Sequence, residues 1–151
     1  MKRILLADDS PRDIELTLTA LGELHLANEV MTVGDGVEAL DYLYRRGDFA
    51  NRGGDGPQVV LLDLKMPRVD GLEVLRRIKS DPALKALPVV ILTSSREERD
   101  LLESYELGAN AFVAKPVDFQ EFIEAVQRLA VFWAKVNEPP PGGRYPAAFA
   151  T

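Results

Sequence analysis

The sequence of 151 residues predicts an α/β protein built on a doubly wound, five-stranded parallel sheet. Two observations carry that prediction: short continuous apolar runs at Ile4 to Ala7, Val59 to Leu62, Val89 to Leu92 and Ala111 to Ala114, and segments of helical spacing between them. Runs of about four apolar residues without alternation suit strands buried on both faces of a parallel sheet. Their regular alternation with helices is the pattern of successive βα units. A length near 150 is that of one domain with a full hydrophobic core.

Taken in order, the first strand leads to Ser10-Pro11, an N-cap followed by proline at the first helical position, and a helix carrying Ile14, Leu18 and Leu21. Glu29 to Val33 is half polar and fits an edge strand. A second helix carries Val37, Leu40, Tyr42 and Leu43. Residues 47 to 57 are glycine-rich but lack a following Lys-Ser/Thr, so they are read as a mobile connector and not as a phosphate-cradling loop. The third helix carries Leu72, Val74, Leu75 and Ile78, and the fourth runs from Glu97 to Leu107 with Gly108 as its stop. Asp118, three residues before Glu121, caps the longest helix, which carries Phe119, Phe122, Val126, Leu129, Trp133 and Val136. A domain over 1–137 with an extended last helix is therefore expected, followed by a Pro/Gly-rich tail over 138–151.

Composition removes several chemistries. There is no cysteine, hence no disulfide framework, thiolate nucleophile or thiolate zinc site, and a single histidine excludes His-cluster metal sites. That residue, His25, is read as a surface or capping residue near the end of the first helix. No apolar run approaches the ~18 residues of a membrane span, and a cytoplasmic protein is expected. The net charge of −6, with Lys and Arg scattered, argues against direct nucleic-acid binding.

In an open parallel sheet, ligands bind at the carboxyl ends of the strands. There the first strand ends in Asp8-Asp9, the third in Asp63, the fourth in Thr93-Ser94 and the fifth in Lys115-Pro116. Singly, each has an ordinary explanation as a cap, a turn residue or a solvated cation. Together, three acids beside one lysine oppose folding unless a cation relieves their repulsion. Oxygen ligands without His or Cys favour Mg²⁺ or Mn²⁺. Such a site, with a lysine and a hydroxyl opposite, suits phosphoryl transfer, with Asp63 as the best nucleophile candidate.

These residues resemble the receiver domain of two-component response regulators. The resemblance is carried by Asp8-Asp9, by Leu61-Leu62-Asp63-Leu64-Lys65-Met66-Pro67 leading to Asp70-Gly71, by Thr93-Ser94, and by Phe112 ahead of Lys115-Pro116, and it covers roughly residues 1 to 130. It implies a flavodoxin-like (βα)5 fold of strand order 2-1-3-4-5. It implies that Asp63 accepts a phosphoryl group from a sensor histidine kinase, and that Asp9, Asp63 and the Lys65 backbone carbonyl ligate Mg²⁺, with Asp8 acting through water. Lys115 would pair with a phosphoryl oxygen, its bond to Pro116 would be cis, and Thr93 and Phe112 would form the switch. Phe112 stands where tyrosine is commoner, so no phenolic hydroxyl takes part. Lys65 and Ser95 occupy positions that tune loss of the phosphoryl group, and Lys65 either shields the acyl phosphate or lies in solvent.

As a phosphoacceptor signalling protein, the chain is expected to catalyse only its own phosphotransfer and autodephosphorylation. The tail is too short for an output domain, so the signal is expected to leave by protein contact or phosphorelay. Val131, Phe132 and Trp133 are consecutive, and a helix cannot turn all three toward one core. A homodimer interface using Phe132, Trp133, Tyr145 and Phe149 is expected. The extended helix, the tail and the long loop before the third strand resemble single-domain regulators that serve bacteriophytochrome kinases. The rival is an aspartyl-phosphate-forming phosphatase of related fold; the haloacid dehalogenase type needs a second Asp where this chain has Lys65.

Overall fold

A computed structural model describes residues 2–140. Five parallel strands, β1 (Ile4–Ala7), β2 (Val30–Val33), β3 (Val59–Leu62), β4 (Val89–Thr93) and β5 (Ala111–Ala114), lie in the order β2-β1-β3-β4-β5. They alternate with α1 (Pro11–Gly22), α2 (Gly36–Tyr44), α3 (Gly71–Ser80), α4 (Glu98–Glu106) and α5 (Phe119–Ala130). The doubly wound architecture and the strand order agree with expectation. Among the described residues, no helix is long and apolar enough to cross a membrane.

The sheet separates two apolar layers. Leu5, Val60, Leu62 and Ile91 point to one side, against Leu40 and Leu43 of α2 and Val74, Leu75 and Ile78 of α3. Ile4, Leu6, Leu61 and Val90 point to the other, against Leu16 and Ala20 of α1 and Phe122, Ile123 and Val126 of α5. Each fully buried aliphatic or aromatic side chain contributes roughly 1.5–3 kcal/mol, which fixes the strand register. β1, β3 and β4 are buried throughout, as their unbroken apolar runs predict. β5 lies at the edge where the expected strand order puts it, but it is only half-buried along its length although its apolar run reads like that of a central strand.

Capping follows the sequence closely. The Ser10, Asp35, Asp70 and Asp118 side chains accept the backbone N–H of Asp13, Glu38, Glu73 and Glu121. His25 is exposed at φ +59 just past α1, where its N–H reaches the Gly22 carbonyl, so it ends the helix. Gly108, at φ +107, does the same after α4. The last helix is α-helical only to Ala130 and continues as a π-helix over Val131–Val136, closed by a bond from the Asn137 N–H to the Phe132 carbonyl at 2.6 Å. The connector 47–57 opens with a 3₁₀ turn at Gly47–Phe49 and is tied to α2, with the Arg52 guanidinium 4.2 Å from the Tyr42 ring centroid.

Candidate functional site

The strand register delivers the polar residues to one end of the sheet. Ala7 is level with Leu62, and the Asp63 N–H bonds the Ala7 carbonyl at 2.9 Å; Thr93 is level with Ala114, and the Lys115 N–H bonds the Thr93 carbonyl at 2.7 Å. The chain therefore leaves the ladder at Asp8, Asp63 and Lys115 over a single patch of the rim. Gly71 allows the turn after Asp63 to close, because a β-carbon there would fall 2.1 Å from the Asp63 carbonyl oxygen.

Lys115, only 5% exposed, joins these segments. Its ammonium donates to Asp8 Oδ2 at 2.8 Å, Asp13 Oδ2 at 2.8 Å and Asp63 Oδ2 at 3.0 Å. Burial alone would depress the ammonium, but its bonds to Asp13 and Asp8 and the charges of Asp8 and Asp63 hold it above the usual lysine range. Burial pushes the Asp8 carboxyl up, against the opposing bonds from Lys115 and the Ser10 amide. When all are ionised, three carboxylates less one ammonium leave two negative charges in excess.

That excess suits a divalent cation. Asp8, Asp9 and Asp63 each offer a carboxylate oxygen, the three within 4.8 Å of one another, and Asp9 is exposed at the mouth while the other two are buried. An all-oxygen donor set of this kind is the chemistry of hard cations such as Mg²⁺ and Mn²⁺.

The other expected site residues fall at or beside this rim. Thr93 is fully buried, and its Oγ1 accepts the Ser95 N–H at 3.3 Å. Ser94 is exposed beside Arg12, Arg96 and Lys115. Phe112 is half-buried against the core layer of α2 and α3. The Lys65 N–H lies 3.4 Å from Asp63 Oδ1, and its exposed ammonium is 3.8 Å from Asp100 Oδ2. One expectation fails: the Lys115–Pro116 bond is trans, the isomer an X–Pro bond prefers by about 0.5–1 kcal/mol, and Arg96 donates to the Lys115 carbonyl at 2.8 Å.

Two acids escaped the sequence reading. Asp13 sits at the third helical position after the Ser10 cap, where an acid ordinarily signals dipole compensation, and here it binds Lys115. Asp100, in the first turn of α4, looks like the same signal but is 3% exposed and accepts the Ser95 hydroxyl at 2.6 Å. Their spacing flags acids near a helix start, but burial and partner are tertiary facts.

At the far end of the chain, Phe132 is 48% exposed, while Trp133 packs partly against the α1/α5 layer, the two rings meeting edge to face at 5.0 Å. Val131, Phe132 and Val136 line an open groove of about 400 Å³ with Glu124, Gln127 and Arg128. Tyr145 and Phe149 lie outside the described residues.

The response regulator receiver domain family matches residues 4–127. The response regulator Rcp1 of Synechocystis is 38% identical over 132 residues, covering 87% of this chain and 88% of that protein. Its Mn²⁺-bound crystal structure superposes with a TM-score of 0.83 at 36% identity, over 93% of this chain and 99% of that one. The phosphorylated cyanobacterial phytochrome response regulator RcpA gives 0.85 at 40% identity, covering 92% and 98%. The bacteriophytochrome response regulator AtBRR is 61% identical over 91% of this chain and 99% of that one, with a TM-score of 0.71. The phosphatase alternative is not supported by these relatives.

Proposed function

From the premise that the chain belongs to the response regulator receiver domain family, we propose that Asp63 is its phosphoacceptor. The observation that carries this reading is the buried ammonium of Lys115 shared by Asp8, Asp13 and Asp63 at the carboxyl ends of the strands. A carboxylate oxygen of Asp63 forms a bond to phosphorus as the phosphorus–nitrogen bond of a kinase phosphohistidine breaks, and the released imidazole nitrogen takes up a proton. Asp9, Asp63 and the Lys65 carbonyl would hold the divalent cation, Mg²⁺ in this reading, with Asp8 acting through water, and its charge offsets that of the phosphoryl oxygens. Lys115 exchanges part of its carboxylate contact for a phosphoryl oxygen. Thr93 turns its hydroxyl to the same group, and Phe112 fills the space it leaves, biasing a two-state element. Autodephosphorylation returns the carboxylate and inorganic phosphate when water attacks phosphorus.

The phosphoryl donor in this reading is a sensor histidine kinase in the cytoplasm, of the bacteriophytochrome class, supported by the likeness to RcpA and AtBRR. The exposed Phe132 and the groove beside it support a homodimer through the last helix, and Phe132→Glu is expected to yield the monomer mass in solution. The phosphoacceptor reading is tested by incubating the chain with Mg²⁺ and a small phosphodonor. Intact mass should rise by one phosphoryl group in the wild type and not in Asp63→Asn. An adduct that survives the substitution, or none in the wild type, overturns it.

A further inference from the structure

Lys65 bridges two acids with different parts of itself. Its backbone N–H faces Asp63 Oδ1 at 3.4 Å, and its ammonium faces Asp100 Oδ2 at 3.8 Å. Asp100 is buried in the first turn of α4, where a carboxylate is costly unless it is bonded and paired. The Ser95 hydroxyl, donating to Asp100 Oδ2 at 2.6 Å, supplies the bond and holds that oxygen in place; Lys65 supplies the nearby cation. The ammonium is itself exposed, so it is free to move, and among the described residues it is the Asp100 carboxylate that pairs with it and selects its resting place.

A phosphoryl group on Asp63 adds charged oxygens beside the Lys65 backbone, and these compete with Asp100 for the same ammonium. We infer that Asp100 is a positioning residue for Lys65: it retains the ammonium at the start of α4, away from the acyl phosphate, and so sets the lifetime of the phosphoryl group. This rests on the phosphoacceptor reading of Asp63. Without the Asp100 charge, the ammonium turns to the phosphoryl oxygens and obstructs the approach of water to phosphorus. Hydrolysis, in which the water oxygen bonds to phosphorus and the Asp63 oxygen leaves as carboxylate, then slows. A pair at 3.8 Å whose ammonium lies in solvent shifts occupancy by about three- to fivefold, which sets the size of the effect.

The test phosphorylates the full chain with Mg²⁺ and a small phosphodonor, removes the donor and follows decay of the adduct by intact mass. Asp100→Asn is expected to slow decay about three- to fivefold, and Asp100→Glu to restore it. In a Lys65→Ala background, Asp100→Asn should add no further change. Slowing of the same size without the Lys65 ammonium, or no slowing with it, overturns the inference. Should Asp100→Asn fail to fold, Ser95→Ala keeps both charges and removes the hydroxyl that aims Oδ2 and accepts the Glu97 N–H; it is read in the same two backgrounds, and because Ser95 itself stands at a position that tunes loss of the phosphoryl group, the part of its effect that vanishes in Lys65→Ala is the part that counts. A wild type that takes no phosphoryl group overturns the phosphoacceptor reading and this inference with it; a wild type that is phosphorylated while the variants decay alike overturns the inference alone.

Discussion

Helices α4 and α5 flank β5 in the chain and begin near the same rim, yet they meet the rest of the molecule with opposite kinds of surface. α5 buries Phe122, Ile123, Val126 and Ala130 and leaves Gln120, Glu121, Glu124 and Arg128 in solvent. α4 buries Asp100 and Ser104, while Leu101, Leu102 and Tyr105 stand 39%, 59% and 50% exposed. One helix is held by apolar area, which is indifferent to what happens at the rim. The other is held near its start by a hydroxyl, a carboxylate and the ammonium of Lys65, whose backbone N–H faces Asp63. An element with few buried apolar contacts opens at low free energy, so α4 is less firmly fixed by packing than α5.

The largest loss of stability is expected on α5. Phe122→Ala should lower the free energy of unfolding by about 3–5 kcal/mol in a urea titration, because the cavity opens between α5 and the sheet. A loss as small as that of a surface residue would remove the contrast. On α4 the sign should reverse. Ser104 Oγ is buried with no hydrogen-bond partner, so Ser104→Ala removes an unsatisfied group and should raise stability by about 1 kcal/mol in the same assay.

A smaller effect comes from α2, on the same side of the sheet as α3. Tyr44 donates its hydroxyl to Asp81 at the end of α3, and burial, together with that bond and the Asp81 charge, pushes the phenol up to about 12. The folded protein then keeps a proton that the unfolded chain releases from pH 10 upward, so stability falls between pH 10 and about 12. The fall should be less than about 1 kcal/mol after solvent screening, and the stability curve of Tyr44→Phe should be flatter over that window. An equal slope in the two proteins would show that the α2–α3 contact is insensitive to charge, unlike the start of α4.

Much of this was legible because it is local. Four of the strands follow from unbroken apolar runs and β2 from a half-polar one, while Ser10 and Asp118 act as the caps they were read to be, through bonds spanning three residues; Asp35 and Asp70 cap in the same way without having been singled out for it. The half-burial of β5 was not legible in its own residues, which are as apolar as those of a central strand; only the strand order implied by the resemblance put it at an edge. Nor was the π-helical turn at Val131–Val136, on which Trp133 packs partly inward and Phe132 remains exposed.

The sequence by itself determined the sheet, its helices and the placement of Asp8, Asp9, Asp63, Thr93 and Lys115 at strand ends, because a parallel sheet sends every apolar run out at the same edge. Only the tertiary structure decided which acids share the lysine. Asp13 and Asp100 stand in first turns where an acid serves the helix dipole equally well in solvent, and nothing in their spacing distinguishes that from burial. Asp13 meets Lys115 across 102 residues of chain, and Asp100 meets Lys65 across the rim, because the register of β1, β3, β4 and β5 brings their helices together there. Contacts at that separation are set by how the layers pack, and local periodicity carries no record of them.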